Sequence, residues 1–224
     1  MSDPILQATN IHKSFGKGEA RNHVLRGLHL QVQRGEFLAI MGPSGCGKST
    51  LLHILGLMDR PDEGEVSLDG ETFNHANART QRLRFLREKI GFIFQRFNLI
   101  PVLSGRDNVR MSLRVRGLSD DEQVENLLQR MGVAEVARRK PGELSIGEQQ
   151  RIAVARALAH RPGIVLADEP TGNLDTDNGL ALLDLFRQIN RQDGQTMVMI
   201  THSTEAARQA DRVLHMRDGL IETE

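Results

Sequence analysis

Gly42-Pro43-Ser44-Gly45-Cys46-Gly47-Lys48-Ser49 places a glycine, four further residues and then Gly-Lys-Ser, the spacing of a loop that cradles phosphate. Glycines let backbone N–H groups curl around phosphate oxygens, and a following helix N-terminus adds partial positive charge. Lys48 has the reach to meet β- and γ-phosphates, and Ser49, followed by Thr50, offers a hydroxyl to magnesium. By itself the motif says only that a nucleotide phosphate binds. A second acidic cluster, Asp168-Glu169-Pro170, ends the apolar run Ile164 to Ala167. Carboxylates at the C-terminal edge of an open α/β sheet stand where ligands bind. Asp168 is there the expected magnesium partner. Glu169 is the expected catalytic residue, because phosphoryl transfer needs a group that orients and polarises the attacking water. Alone, such a pair is more often a solvated loop or a helix cap, and the upstream loop reverses that weighting.

Three further features fall on the same expected rim. His202 follows the run Met197 to Ile200 and can hydrogen-bond a γ-phosphate. Gln95 ends the run Ile90 to Phe94, where it could touch magnesium or the water, or merely end a strand. In Leu144-Ser145-Ile146-Gly147-Glu148-Gln149-Gln150-Arg151, Ser145 and Glu148 have the spacing of a capping box. That segment is either a well-capped helix or a second helix N-terminus offering N–H groups and the Ser145 hydroxyl to a γ-phosphate.

These residues need elements to position them. The runs Ile5 to Phe15 and Val24 to Val32, separated by Phe15-Gly16-Lys17-Gly18, predict antiparallel strands. Phe37 to Met41 predicts the strand before the phosphate loop, and a helix from Lys48 buries Leu51, Leu52, Ile54 and Leu55. A hairpin over Gly64 to Gly70 and a basic helix Arg79 to Lys89 lead into the strand Ile90 to Gln95. Residues 96–160 read as nearly all helical, with helices Asp107 to Arg116, Asp120 to Met131 and Ser145 to His160. Strand and helix alternation then resumes: Ile164 to Ala167, Asp175 to Arg191, Thr196 to Ile200, Thr204 to Ala210, and a closing hairpin Val213 to Ile221. The expected class is α/β, a parallel sheet covered by helices on both faces.

The 224 residues suit one domain with an insertion, and adding the 21 glycines to the 39% hydrophobic count gives about 48%, inside the globular range of about 45–50%. Whole-chain disorder is excluded. Lys+Arg 29 against Asp+Glu 29 leaves no global field to hold a polyanion, so no nucleic acid is expected as a partner. One cysteine, Cys46, excludes an intrachain disulfide and a multi-cysteine zinc site, and fits a reducing compartment. The acidic N-terminus is unlike a signal peptide, and no apolar run approaches the ~20 residues of a membrane span. Any membrane role is expected to come through a partner.

Taken together, GPSGCGKST (Gly42 to Thr50), Gln95, LSIGEQQR (Leu144 to Arg151), IVLADEP (Ile164 to Pro170), NLD (Asn173 to Asp175) and His202 resemble, in order, the ATP-binding cassette ATPases. The resemblance covers nearly the whole chain. It implies a P-loop NTPase (RecA-like) parallel-sheet core with an antiparallel β subdomain over residues 1–95 and 161–224, and a helical subdomain over residues 96–160. It implies ATP and Mg2+ as cofactors, and two copies head to tail. Each ATP would lie between one phosphate loop and the partner segment that carries Ser145, Gly147 and Glu148, with Asp175 beside it. An adenine-stacking aromatic is implied on the first strand. The family usually has tyrosine there, and in a chain without Tyr or Trp the candidate is Phe15, which could equally be strand core. PTGNLD, Glu148 and GFIFQRFNLIP (Gly91 to Pro101) resemble the branch of lipoprotein-release, macrolide-exporter and cell-division ATPases. That branch implies an integral membrane permease with a large extracytoplasmic domain, with scope for a periplasmic adaptor, and a place on the cytoplasmic face of the inner membrane. Phe97, Asn98 and Leu99 would lie near the groove that receives the permease's coupling helix, or form an ordinary packing segment.

The chain departs from the family at Ile146, where glycine is usual, and at Ser203, where aspartate is common after the histidine. Cys46, at a helix N-terminus, is expected to be reactive as a thiolate. Arg79, Arg82, Arg84, Arg87 and Lys89, with Arg106, Arg110, Arg114 and Arg116, could meet anionic lipid headgroups or form a solvated helix face. The competing functions are a soluble ABC-type ATPase of DNA repair or chromosome maintenance and a small GTPase. The first usually shows long coiled coils, DNA-binding or zinc elements, none visible here. The second needs an Asn-Lys pair, which the chain lacks.

Overall fold

The computed structural model describes residues 3–16, 18, 21–74 and 79–222, so Lys17 of the expected first turn lies outside the described residues. Two sheets form. The first runs β2 (Asn22–Val32), β1 (Leu6–Phe15), β4 (Glu63–Leu68), β5 (Glu71–Phe73), with its neighbours antiparallel. The second runs β10 (Leu220–Glu222), β9 (Arg212–Arg217), β3 (Phe37–Met41), β8 (Thr196–Thr201), β7 (Ile164–Asp168), β6 (Ile90–Ile93), parallel except for the β9–β10 edge.

The central strands β3, β7 and β8 are buried on both faces, so they read as continuous apolar runs and not as an alternation. Their period of two nevertheless sorts side chains between two cores. Phe37, Ala39, Val165, Ala167, Met197 and Met199 pack with helices α3 (Gly105–Arg114), α4 (Asp121–Arg130), α5 (Ile146–Leu158) and α6 (Thr176–Asp193). Leu38, Ile40, Leu166, Val198 and Ile200 face the other way, toward α1 (Lys48–Leu55) and the antiparallel sheet. One sheet thus ties a helical layer to a β layer. Helices α2 (Arg79–Lys89) and α7 (Thr204–Ala207) complete the set.

The expected strands and helices are present with ends shifted by a few residues. Two expectations change. Residues 96–160 are helical in α3, α4 and α5, but 96–104 and 131–145 are largely irregular backbone, in which Phe97 (φ 37) and Asn98 (φ 51) adopt left-handed conformations. Strand β6 stops at Ile93, so Gln95 sits beyond the strand end on that irregular stretch.

Candidate active site

The loop between β3 and α1 is shaped by two kinds of glycine. Gly45 (φ 80) and Gly47 (φ 106) lie where L side chains are strained, and Gly47 precedes the first turn of α1. Gly42 is needed for space, since a Cβ there would stand 2.2 Å from the Met216 carbonyl oxygen on β9. The loop therefore rests directly on the backbone of β9, with its outer residues Pro43, Ser44 and Gly45 exposed. Lys48 is 6% exposed, and its ammonium donates to the carbonyls of Gly42 (2.7 Å) and Pro43 (3.0 Å). A charged donor is thereby held inside the curve of the loop.

Asp168 ends β7 one strand away from β8 and its hydroxyl neighbour is across the sheet edge: Ser49 Oγ donates to Asp168 Oδ1 at 3.3 Å. Burial pushes the Asp168 carboxyl above its ordinary range; His53, the Ser49 hydrogen bond and Lys48 oppose this, and Glu169 adds to it. Ser49 and Asp168 are hard oxygen donors. Among the described residues no cluster of three or more His, Cys, Asp or Glu side chains could hold a metal alone. A pair of protein oxygens suits magnesium, which takes one or two side chains and completes its shell with water and phosphate.

Glu169 has φ 42, an uncommon conformation for a residue with a side chain. Its N–H donates to the Ile200 carbonyl (3.0 Å) and its own carbonyl accepts from Gly172 N–H (3.0 Å), which fix it in place. The carboxylate reaches His202 on the end of β8, with Oε2 3.2 Å from Nδ1. Ser203 caps α7 by accepting the Ala206 N–H at 3.2 Å, which anchors the residue after His202 in the absence of an aspartate.

Phe15, Val24, Ser44, Gly45, Gly47, Lys48, Ser49, Thr50 and Glu169 line one cleft of about 350 Å3. Phe15 is 48% exposed, which removes it from the strand core, and Lys13 Nζ lies 5.3 Å from its ring centroid. Gln95 is exposed and is not among the residues that line this cleft. Its carbonyl accepts from Asn173 Nδ2 (2.8 Å), and a Cβ at Gly172 would come within 2.9 Å of its Nε2.

Ser145, Gly147, Glu148 and Asp175 do not line that cleft; they gather at the N-termini of α5 and α6. The capping box forms: Ser145 Oγ accepts the Glu148 N–H (3.3 Å), and Glu148 accepts the Ser145 N–H (2.7 Å). That last bond is the main cause holding the Glu148 carboxyl below its usual range. Asp175 caps α6 through Asn178 (2.9 Å), which also holds its carboxyl down. A Cβ at Gly147 would stand 2.7 Å from Asn178 Oδ1, so the two helix ends are in contact. Ile146, the first residue of α5, is 52% exposed beside them.

Two outcomes were not readable in the sequence. Cys46 is 7% exposed in the apolar cluster behind the loop, with its Sγ turned toward Gly42, so the thiol expected to be reactive is buried against the core. Gln150, fully buried, donates to the Pro170 carbonyl at 3.0 Å and couples α5 to the Asp168-Glu169-Pro170 turn. Its signal was a glutamine three residues past Gly147, on the otherwise apolar inward face of α5.

The ABC transporter family model matches residues 25–172. The chain is 42% identical to an uncharacterized ABC transporter ATP-binding protein of Methanocaldococcus jannaschii, over 98% of this chain and 96% of that one. It is 41% identical to the lipoprotein-releasing system ATP-binding protein LolD of Acinetobacter baylyi, over 98% of each. Against the macrolide export ATP-binding/permease protein MacB of Chlorobium luteolum it is 45% identical over 97% of its own length, but spans only 33% of that longer protein. Among solved structures it resembles a dimeric post-hydrolysis state of the M. jannaschii cassette bound to ADP and Pi, with TM-score 0.90 and 39% identity over 97% of both chains. Loop, acidic strand end, rim histidine and these likenesses agree: the chain belongs to the ABC transporter family, as one of its ATP-binding, ATP-hydrolysing cassettes.

Proposed function

We propose that the chain is the motor subunit of a membrane transporter or mechanotransmission complex of the lipoprotein-release and macrolide-export kind, acting as a head-to-tail homodimer on the cytoplasmic face of a membrane. The observation that carries the reading is the division of the site. Phosphate loop, Asp168, Glu169 and Phe15 gather at one place, while Ser145, Gly147 and Glu148 present a capped helix N-terminus at another. One chain then supplies two half-sites, and two copies complete two whole ones. The similarity to dimeric cassettes supports this assembly.

In that assembly Lys48 and the loop N–H groups bind the β- and γ-phosphates, and Phe15 stacks on adenine. Ser49 and Asp168 would hold magnesium, which when bound would neutralise phosphate charge, and Gln95 would serve the same ion or the water. Glu169 orients the attacking water and accepts its proton, with His202 fixing the carboxylate and meeting the γ-phosphate. Ser145 donates its hydroxyl across the interface while its lone pair serves the Glu148 N–H.

No helix among the described residues is long and apolar enough to cross a membrane, so the transporter reading requires a permease beyond those residues. A groove of about 310 Å3, lined by Leu86, Phe92, Phe94, Asn98, Arg116 and Arg156, is where its coupling helix would dock. The names of the relatives, a macrolide export ATP-binding/permease protein and a lipoprotein-releasing system ATP-binding protein, support a membrane permease as partner; a large extracytoplasmic domain on it and a periplasmic adaptor are what the motif resemblance adds. Affinity purification of tagged Glu169→Gln with Mg-ATP from detergent-solubilised native membranes tests this. Recovery of a multi-spanning protein in equal stoichiometry is expected. Reproducible recovery of soluble or DNA-associated proteins alone would overturn the transporter assignment.

A further inference from the structure

The chain has no net charge, yet one face of it is strongly basic. On α2, Arg79, Leu83 and Arg87 fall at i, i+4 and i+8, and with Arg84 they form the outward stripe; all four are exposed. Phe85 alone is buried from this helix, against Phe73 with ring centroids 5.0 Å apart, so α2 is anchored by one aromatic and shows its arginines to solvent. The end of α3 joins it. The Arg87 guanidinium donates to the Val115 carbonyl, and the Arg116 guanidinium donates to the Arg87 carbonyl, which latches the two helix ends into one surface. Arg114 is exposed on that surface, and Val115 and Leu118 are each 50% exposed, with Leu83 at 41%.

Acidic side chains neutralise this face only in part, although Asp120 and Glu122, which follow Leu118 in the chain, are exposed. Glu88 is the only acid of α2, and its contact with Arg84 is 3.5 Å long with both groups more than half exposed, a pair worth little in water. Among the described residues no ion pair engages Arg79, Arg87 or Arg114. Asp121 nearby is taken by Arg110 at 2.8 Å. The pattern is single apolar side chains set between guanidiniums on the outer faces of helix ends. Arginine stems and scattered Leu and Val suit a planar interface, where charge meets phosphate and the apolar groups reach past it. Leu86 of α2 and Arg116 also border the groove assigned above to the permease, so docking there would bring this face toward the bilayer.

We propose that the outward face of α2 and the end of α3 is a docking surface for the anionic headgroups of membrane phospholipids. The inference rests on the transporter reading only for what brings the membrane near. An acidic loop of a partner protein is the competing occupant.

The purified chain is sedimented with vesicles of phosphatidylcholine alone and of phosphatidylcholine mixed with phosphatidylglycerol. Binding is expected to the anionic vesicles and not to the neutral ones, and to be lost at high salt. Each of Arg79→Glu, Arg84→Glu and Arg114→Glu is expected to weaken it by at least about fivefold, the weight of one basic residue near such a surface. ATP turnover measured on the same preparations is expected to stay unchanged, which shows that the variants are folded. Equal sedimentation with both vesicle types, or anionic binding untouched in the triple variant, overturns the proposal. So does absence of vesicle binding together with variant-sensitive binding to a solubilised permease, which would make a protein the occupant. No permease is present in the vesicle assay, so its failure leaves the motor assignment standing.

Discussion

Burial at the end of β7 raises the Asp168 carboxyl, which means that the folded chain holds a proton there more tightly than the unfolded chain does. The ionised form of Asp168 therefore opposes folding, and that opposition is relieved as pH falls through its raised value. Asp168→Asn is expected to raise the midpoint of thermal unfolding at neutral pH in the absence of nucleotide, and to abolish magnesium-dependent turnover. A variant that melts lower while retaining turnover would remove Asp168 from the metal role. The loop glycines give a second test. In Gly47→Ala the new Cβ meets a φ of 106 and contacts at 3.0 Å to Val24 O and Met216 Cε, so ATP affinity is expected to fall by tenfold or more, about 1.4 kcal/mol. Titration with a fluorescent ATP analogue reads this directly; unchanged affinity would detach the loop shape from phosphate binding.

At the scale of elements, α5 connects stability to the second half-site. Ser145→Ala removes its cap and is expected to cost about 1 kcal/mol in denaturant unfolding, whereas Ser145→Asn should recover most of that stability. If Ser145 also serves the γ-phosphate, neither variant should recover turnover, and restored activity in the asparagine variant would leave the residue as a cap alone. The other end of α5 carries a pH signal. Burial, with the Arg116 charge beside it, lowers His160 to about 4, and its Nδ1 has no partner while Nε2 lies 3.1 Å from the Ile90 carbonyl. A histidine lowered by folding contributes stability that is complete above the ordinary value near 6.5 and lost as pH falls toward 4. Unfolding free energies measured across that window should slope less in His160→Gln than in the parent chain.

These elements were legible to different degrees. Strands β3, β7 and β8 announced themselves because burial on both faces demands uninterrupted apolar runs, and the loop and acidic pair sit at their ends, so Lys48, Ser49, Asp168 and Glu169 came with them. Residues 96–104 did not, since their backbone is set by tertiary contacts: Arg156 of α5 donates to the carbonyls of Phe97 (2.7 Å) and Asn98, and Asn108 holds Ile100 N–H at 2.7 Å. Cys46 misled for a related reason. Chain position placed it in the phosphate loop, but the loop's curl turns its thiol into the core, a fact of three-dimensional packing that spacing does not carry.

For the whole molecule, the proposed division of the site between the phosphate-loop cleft and the N-terminus of α5 would make turnover depend on two copies meeting. ATP then acts as the adhesive and hydrolysis as the release. Turnover per chain should rise with protein concentration until the dimer saturates, and a constant specific rate down to dilute monomer would contradict composite sites. The most direct test is Glu169→Gln, examined in one preparation by light scattering with Mg-ATP and by phosphate release. The composite-site assembly, with Glu169 as its base, predicts ATP affinity close to the parent's, a stable ATP-dependent dimer, and turnover lower by at least about a hundredfold, the usual weight of a positioned base. Parent-like turnover, or a chain that stays monomeric with ATP bound, would contradict it.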